Sequence, residues 1–338
     1  MDSNLHLRYK ANDRSYFAIL KKEIHALAFK ARFSEAKIGK IDIVVSEMVS
    51  NLNKHATGGE ILVKFFHRNN DEGIEIICSD DGPGMQDVNK MVMDGTSTKN
   101  TLGQGLGAMK RLSDEFQIYS RKETGTTILC RLYKGEPVAR KKQPDIEIKS
   151  LLIAKPGQLV CGDGFYSDIT GQFVRLFLGD GLGHGIEANK AVTAAGEAFL
   201  ASKSIAPNEI IRVIDLAAKK TRGLVGTVAV FNLLEKKWSI CGVGNINSRM
   251  IGSNSSKSYM PYNGIIGLNV PKTLNNQEIP HENGLHLVMC SDGIKTRWDL
   301  ARHPGIFRYD LTIAANTIIK DFSRNTDDMS VAICRVNL

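Results

Sequence analysis

The sequence predicts two successive α/β domains, the first a sheet with helices on one face and the second built on two sheets. Three observations predict them. Apolar residues switch twice from helical spacing to strand-like alternation along the 338 residues. A stretch at 135–147 breaks every periodicity. Acidic-glycine motifs of different kinds lie on either side of it, most of them at strand ends.

The elements follow in order. Phe17, Leu20, Ile24, Leu27 and Ala31 recur at three- and four-residue steps, which predicts a helix over 13–33. Ser34 is placed to cap a second helix with the stripe Ile38, Ile41, Val44, Met48 and Leu52, ended by Gly58-Gly59. Ile61, Val63 and Phe65 then alternate, a polar turn follows at 69–73, and Ile74, Ile76 and Cys78 complete a hairpin. A glycine-rich stretch leads into a helix at about 105–114, and strands follow near 116–121 and 126–133. Gly135, Pro137, Arg140–Lys142 and Pro144 mark the linker. Beyond it strands are predicted near 146–154, 164–169 and 172–179, then helices near 184–202 and 207–221. Strands near 226–233, 237–242, 247–252 and 285–291, a helix over 299–321 and a strand at 329–336 complete the chain. The domain expectation is 1–134, a linker at 135–147, and 148–338.

Composition narrows the function. With 42% hydrophobic and 24% charged residues, the chain has the make-up of a globular protein. Its net charge is +8, yet 1–148 carries 23 basic and 20 acidic side chains and 149–338 carries 21 and 16. The excess is spread thinly, which argues against a nucleic-acid partner. Six cysteines are scattered singly with no CxxC pair, so neither a zinc knuckle nor a redox couple is indicated. No signal core or apolar run of membrane length is visible, so no membrane role and a cytoplasmic location are expected.

The first set of motifs points to a nucleotide. Glu47, Asn51 and His55 are four residues apart, so each step turns only about 40° and all three share a helix face. A carboxylate and an amide one turn apart can hold magnesium and deprotonate an attacking hydroxyl. Asp80-Asp81-Gly82-Pro83-Gly84 follows a strand, where an acceptor can take the exocyclic amine of adenine and Gly82 and Gly84 let backbone approach the base. Gly103-Gln104-Gly105-Leu106-Gly107 opens a helix whose free amides suit phosphates.

Together with Ser46-Glu47-Met48-Val49-Ser50-Asn51 and Gly95-Thr96-Ser97-Thr98, these boxes make residues 10–134 resemble the GHKL ATPase family. The branch is the serine kinases of bacterial partner switching, the RsbT type, whose tail is similar to Met109–Phe116. The resemblance implies a GHKL (Bergerat) α/β sandwich that binds ATP with magnesium. Glu47 would be the catalytic base and Asn51 the magnesium ligand. Asp80 would read adenine with Thr126 beside it, Lys99 would contact phosphate, and 91–104 would be a mobile lid over the nucleotide. Histidine kinases share the boxes but need a dimerising helical pair. The one helix carrying His25 is too little for that.

The second set points to metal. Asp163 in Gly162-Asp163-Gly164, Asp180 in Gly179-Asp180-Gly181-Leu182-Gly183-His184-Gly185, Asp292 in Ser291-Asp292-Gly293 and Asp327-Asp328 all adjoin apolar strands. Any one Asp-Gly pair is better read as a turn. Four carboxylate boxes converging would repel one another unless cations neutralised them, and oxygen-only ligands favour magnesium or manganese over zinc. Two such ions could activate water and hold a phosphoryl group.

With Gly226–Val230, Cys241–Asn245 and Asn263–Gly267, residues 148–338 resemble the PPM-type serine/threonine phosphatases in their SpoIIE-like form, of the small RsbX type. The resemblance implies an α-β-β-α sandwich with two manganese or magnesium ions. Asp180 would bridge them beside the Gly181 carbonyl, Asp292 and Asp327 would hold the second ion, and Asp163 would hold a metal or its water. Asp328 would be a neighbour. Leu182 stands where eukaryotic relatives carry a histidine directly after Asp-Gly, so His184 reads as a helix-start residue.

The expectation is therefore a bifunctional serine/threonine kinase and phosphoserine/phosphothreonine phosphatase. Its substrate would be a STAS-domain antagonist or scaffold protein, with a sigma-factor-pathway activator as a further partner. The alternative is an ATP-binding docking or anti-sigma module without kinase activity, fused to an active phosphatase.

Overall fold

The computed structural model describes residues 5–10, 14–56, 58–68, 71–88, 91, 105–136, 145–252 and 255–338. They group into two compact units, Met1–Lys142 with Ile306–Thr317, and Gln143–Gly305 with Ile318–Leu338. Among the described residues no helix is long and apolar enough to cross a membrane.

The first unit is built on one antiparallel sheet of β1 (Leu7–Lys10), β2 (Gly59–Arg68), β3 (Asp71–Asp80), β4 (Glu115–Arg121) and β5 (Gly125–Tyr133), in the order β1-β2-β3-β5-β4. Helices α1 (Arg14–Lys30), α2 (Glu35–His55) and α3 (Gly105–Leu112) cover one face. Alternation chooses that face, because Ile61 and Val63, Ile74 and Ile76, and Ile128 and Cys130 all point to the same side of their strands. They meet Leu20 and Ile24 of α1, Met109 of α3, and Ile41, Val44 and Met48 of α2. Each such fully buried aliphatic side chain contributes about 1.5–3 kcal/mol. Ser34 caps α2 as expected, its hydroxyl accepting from the Lys37 amide at 3.3 Å.

The second unit has two five-stranded antiparallel sheets. One runs β13 (Gln277–Pro280), β10 (Lys237–Val243), β9 (Leu224–Asn232), β8 (Phe173–Gly181) and β7 (Asp163–Thr170). The other runs β12 (Ser256–Tyr259), β11 (Asn247–Ile251), β14 (His286–Cys290), β15 (Met329–Val336) and β6 (Ile146–Ile153). Helices α4 (Ile186–Ala201) and α5 (Pro207–Ala218) pack Val192, Phe199, Ile210 and Ile214 against Phe177, Val228 and Cys241 of the first of these sheets.

The mixed α/β class is as the sequence predicted. Three short strands, β1, β12 and β13, were not anticipated; each is four residues long and at least half polar, too short for alternation to register. The helix expected over 299–321 is only α6, Leu311–Phe322. Pro304-Gly305 interrupts the run, with Gly305 left-handed at φ 75, and Asp310 restarts it by accepting from the Thr312 amide at 2.8 Å.

Candidate nucleotide pocket and metal centre

Helix α2 buries its aliphatic stripe and leaves Glu47 and Asn51 half-buried on another face, with His55 exposed. The start of α3 lies against that face. A Cβ placed on Gly105 would come within 2.6 Å of Glu47 Oε2 and 3.8 Å of Asn51 Oδ1. Glycine here is a matter of space, and it brings the helix amides beside the carboxylate and amide that the α2 spacing singled out. Gly107 is buried within α3. Lys99 and Gly103, and nearly all of the lid expected at 91–104, lie outside the described residues.

Asp80 ends β3 opposite Thr126 of β5. Its Oδ1 accepts from the Gly82 amide at 2.8 Å and the Thr126 amide at 3.3 Å, which sets the carboxylate's orientation. Gly125 is left-handed (φ 80), and a Cβ there would lie 1.9 Å from the Asp80 carbonyl oxygen, so only glycine fits this approach. Gly82 packs against the carbonyl of His55, tying the loop to the end of α2. Gly84 lies against the Arg121 carbonyl. Sequence reasoning missed Ser120, whose hydroxyl accepts from the Met85 amide at 2.8 Å and lies 2.9 Å from Thr126 Oγ1. Ser120 and Thr126 are direct partners on the β4–β5 hairpin, whereas the Met85 contact ties the loop after β3 to β4 and has no local signal in the sequence.

In the second unit Asp163 opens β7 and Asp180 lies near the end of β8, and the two are directly paired across the strands. Paired residues share a face of the sheet with Cβ atoms about 5 Å apart. Asp292 follows β14 and Asp327 precedes β15, so the other sheet contributes its own carboxylates. Asp163 is 2% exposed, and both of its carboxylate oxygens lack a hydrogen-bond donor. Burial, with Asp328 and Asp292 adding negative charge, pushes its carboxyl up to about 7. Burial, then the charges of Asp163, Asp292 and Asp327, raises Asp180 well above the usual carboxylate range.

Among the described residues no three of these side chains close into a tight ligand shell. Asp180 nonetheless lies within electrostatic reach of Asp163, Asp292 and Asp327. Orphaned buried oxygens and raised carboxyl groups are what a divalent, oxygen-preferring cation would satisfy, so the donor set fits magnesium or manganese. Gly181 is buried beside them, its amide donating to the Gly162 carbonyl at 3.0 Å.

Three further placements complete the picture. Asp328 is buried, and its Oδ1 accepts from the Lys155 amide at 2.8 Å, fastening the loop before β15 to the one before β7. His184 is exposed ahead of α4. Asn245, to which sequence reasoning gave no role of its own, donates from Nδ2 to Asp292 Oδ2 at 3.1 Å. The Gly244-Asn245 turn was visible in the sequence, but its proximity to Asp292 needs the pairing of Asn247 with Cys290.

Residues 11–132 match the histidine kinase-like ATPase domain family, and residues 170–337 match the stage II sporulation protein E (SpoIIE) family. The serine/threonine-protein kinase RsbT of Bacillus subtilis is 36% identical over 96 residues, covering 28% of this chain and 72% of that protein. The chain belongs to the RsbT-type kinase-like and SpoIIE-type PPM phosphatase families. The phosphoserine phosphatase RsbX of Bacillus subtilis is 25% identical to this fusion over 142 residues, covering 41% of it and 70% of RsbX. A solved structure from the bacterial stressosome, a modular system adapted to control secondary messenger signaling, is 25% identical. It covers 56% of this chain and 99% of that chain with a TM-score of 0.53. RsbX in complex with magnesium shares the fold, with a TM-score of 0.50 at 22% identity over 58% of this chain and 98% of that one. The families of the two domains in general use ATP and divalent metal ions.

Proposed function

We propose that this chain both phosphorylates and dephosphorylates serine or threonine on a STAS-domain partner-switching protein, in the cytoplasm. The observation that carries the proposal is that one chain gathers two sets of residues suited to opposed chemistry. Glu47, Asn51 and Gly105 are gathered in the first, and Asp163 is paired with Asp180 in the second. Residues 1–134 would form the kinase domain and 148–338 the phosphatase domain.

In the kinase domain, Asp80 accepts the hydrogen of adenine's exocyclic amine while its Oδ1 stays held by Gly82 and Thr126. Asn51 Oδ1 holds magnesium. Glu47 takes the proton of the attacking hydroxyl, and the amides at the start of α3 face the phosphates. Lys99 and Gly103 would add contacts from the lid. Phosphoryl transfer depends mainly on such positioning and charge neutralisation.

In the phosphatase domain, Asp180, with the Gly181 carbonyl beside it, would hold the two ions, Asp292 and Asp327 would hold the second, and Asp163 would hold a metal or its water. When bound, the cations supply Lewis acidity toward a phosphoryl oxygen and toward water. Asn245 holds Asp292 in the rotamer that directs it into the site. Burial of Asp163 keeps bulk water from competing for its oxygens.

The test uses ATP labelled at the γ-phosphate and a STAS-domain protein encoded beside this chain. Wild type should add and then remove label, Glu47→Ala should only remove it, and Asp180→Asn should only add it. A wild-type chain that binds ATP and the partner but never labels it would leave the first domain as a docking module.

A further inference from the structure

A cleft of about 400 Å³ opens beside the proposed metal ligands, with Asp292, Asp327, Asn245 and Arg324 in its wall. That volume lies within the range of small-ligand sites. Arg324 is the one arginine or lysine lining it. Its side chain is exposed and has no ion-pair partner among the described residues, although two carboxylates share the same wall.

Its place is fixed by backbone and does not depend on side-chain chance. Ile294 and Ser323 form an isolated antiparallel bridge. On either side of it the Lys295 amide donates to the Phe322 carbonyl at 2.9 Å, and the Arg324 amide donates to the Gly293 carbonyl at 2.8 Å. Gly293 is so close to the incoming chain that a Cβ on it would lie 1.9 Å from the Asp328 carbonyl oxygen. This short bridge clips the Ser291–Gly293 turn to the segment leading into Asp327-Asp328. Asn325, left-handed at φ 56, turns the chain immediately after the arginine.

We propose that Arg324 binds the phosphoryl oxygens of the phosphoserine or phosphothreonine substrate at the metal centre. The inference rests on the phosphatase reading above. A site of four carboxylates repels an approaching phosphate dianion until cations are bound, and a phosphoryl group held by metal on one side still presents oxygens on the other. A planar guanidinium matches two of those oxygens at once, and it carries its charge at every working pH. Arg324 does this from a segment clipped directly to the turn that bears Asp292. Binding of metal and binding of phosphate are thereby set by one rigid piece of backbone.

The test uses the full chain loaded with manganese, a phosphoserine peptide, and inorganic phosphate as competing product. Arg324→Ala should raise both the peptide KM and the phosphate inhibition constant by at least about tenfold, the worth of a hydrogen bond to a charged group. The manganese dissociation constant, measured by calorimetry without substrate, should stay as in wild type. Arg324→Lys should recover part of the loss. Unchanged KM and phosphate inhibition in an active Arg324→Ala protein overturn the proposal, as does a loss that follows weakened manganese binding. Arg222, whose Nη1 lies 2.9 Å from where a Cβ on Gly183 would stand, marks the competing assignment: phosphate inhibition lost in Arg222→Ala but kept in Arg324→Ala also overturns it. If wild type releases no phosphate from the peptide, the phosphatase reading itself fails and takes this inference with it.

Discussion

Asp163 and Asp180 face each other as direct partners across β7 and β8. Burial and neighbouring negative charge raise both carboxyl groups above their ordinary range. Such a pair destabilises the fold on its own and would become favourable with cations bound to its carboxylates. Asp180→Asn and Asp292→Asn should each cut manganese-dependent phosphate release from a phosphopeptide by more than about a hundredfold, beyond the usual cost of an outer-sphere change. With chelator present, Asp180→Asn should melt at a higher temperature than wild type, because a repulsive charge is gone. A variant that melts lower under chelation would contradict this electrostatic account.

At the kinase site the close approach of Gly105 to Glu47 makes a sharper test than removing the carboxylate. Gly105→Ala puts a methyl group 2.6 Å from Glu47 Oε2, which a flexible side chain avoids by turning away. The fold should tolerate it, while phosphotransfer should fall by roughly a hundredfold, the cost of misplacing a reacting group by about 1 Å. Calorimetry should find ATP affinity changed much less than turnover. Equal losses in both would mean that Glu47 serves binding.

Asp80 allows a selective substitution. Asp80→Asn keeps an oxygen for the Gly82 and Thr126 amides but turns the other acceptor into a donor. ATP affinity should drop by about tenfold or more, with the loop conformation and the melting temperature without nucleotide nearly unchanged. Retained affinity would remove Asp80 as the adenine reader.

Acid stability of the second unit should depend on His286. Burial pushes its imidazole down from 6.5 to about 4. Between these values the unfolded chain takes a proton that the folded chain refuses. The stabilisation is therefore complete above about pH 6.5 and is lost progressively as the pH falls to about 4, a change of about 3 kcal/mol. Both tryptophans, Trp238 and Trp298, are buried in this unit, so their fluorescence follows its unfolding. In urea titrations the loss of stability between pH 7 and pH 4.5 should be clearly smaller in His286→Gln than in wild type. An identical loss in both would assign it to other groups.

Much of this architecture could be read from spacing. The α2 stripe Ile38, Ile41, Val44, Met48 and Leu52 is buried as its period required. The hairpin through Ile61 and Ile76 formed because both strands alternate and a polar turn joins them. What escaped was set by partners far along the chain. The four-residue strands exist because a neighbouring strand offers an edge, as Leu7–Lys10 pairs with Glu60–Val63. The contact of Asn245 with Asp292 joins separate loops, and that of the Met85 amide with Ser120 joins a loop to a strand far along the chain, so no local pattern encodes them. The run at 299–321 looked helical on composition, and Pro304-Gly305 decided otherwise.

All six cysteines are free and buried. Burial pushes the Cys130 and Cys290 thiols up to about 12 and raises Cys78 well above the ordinary thiol range, so thiolate is scarce at neutral pH. Maleimide dyes should therefore leave the native chain almost unlabelled. One cysteine introduced on an exposed loop of each unit would then take up a fluorophore pair cleanly, with no need to strip out the natural sulfurs. Energy transfer between the two dyes could follow the molecule through a full cycle of phosphorylation and its reversal.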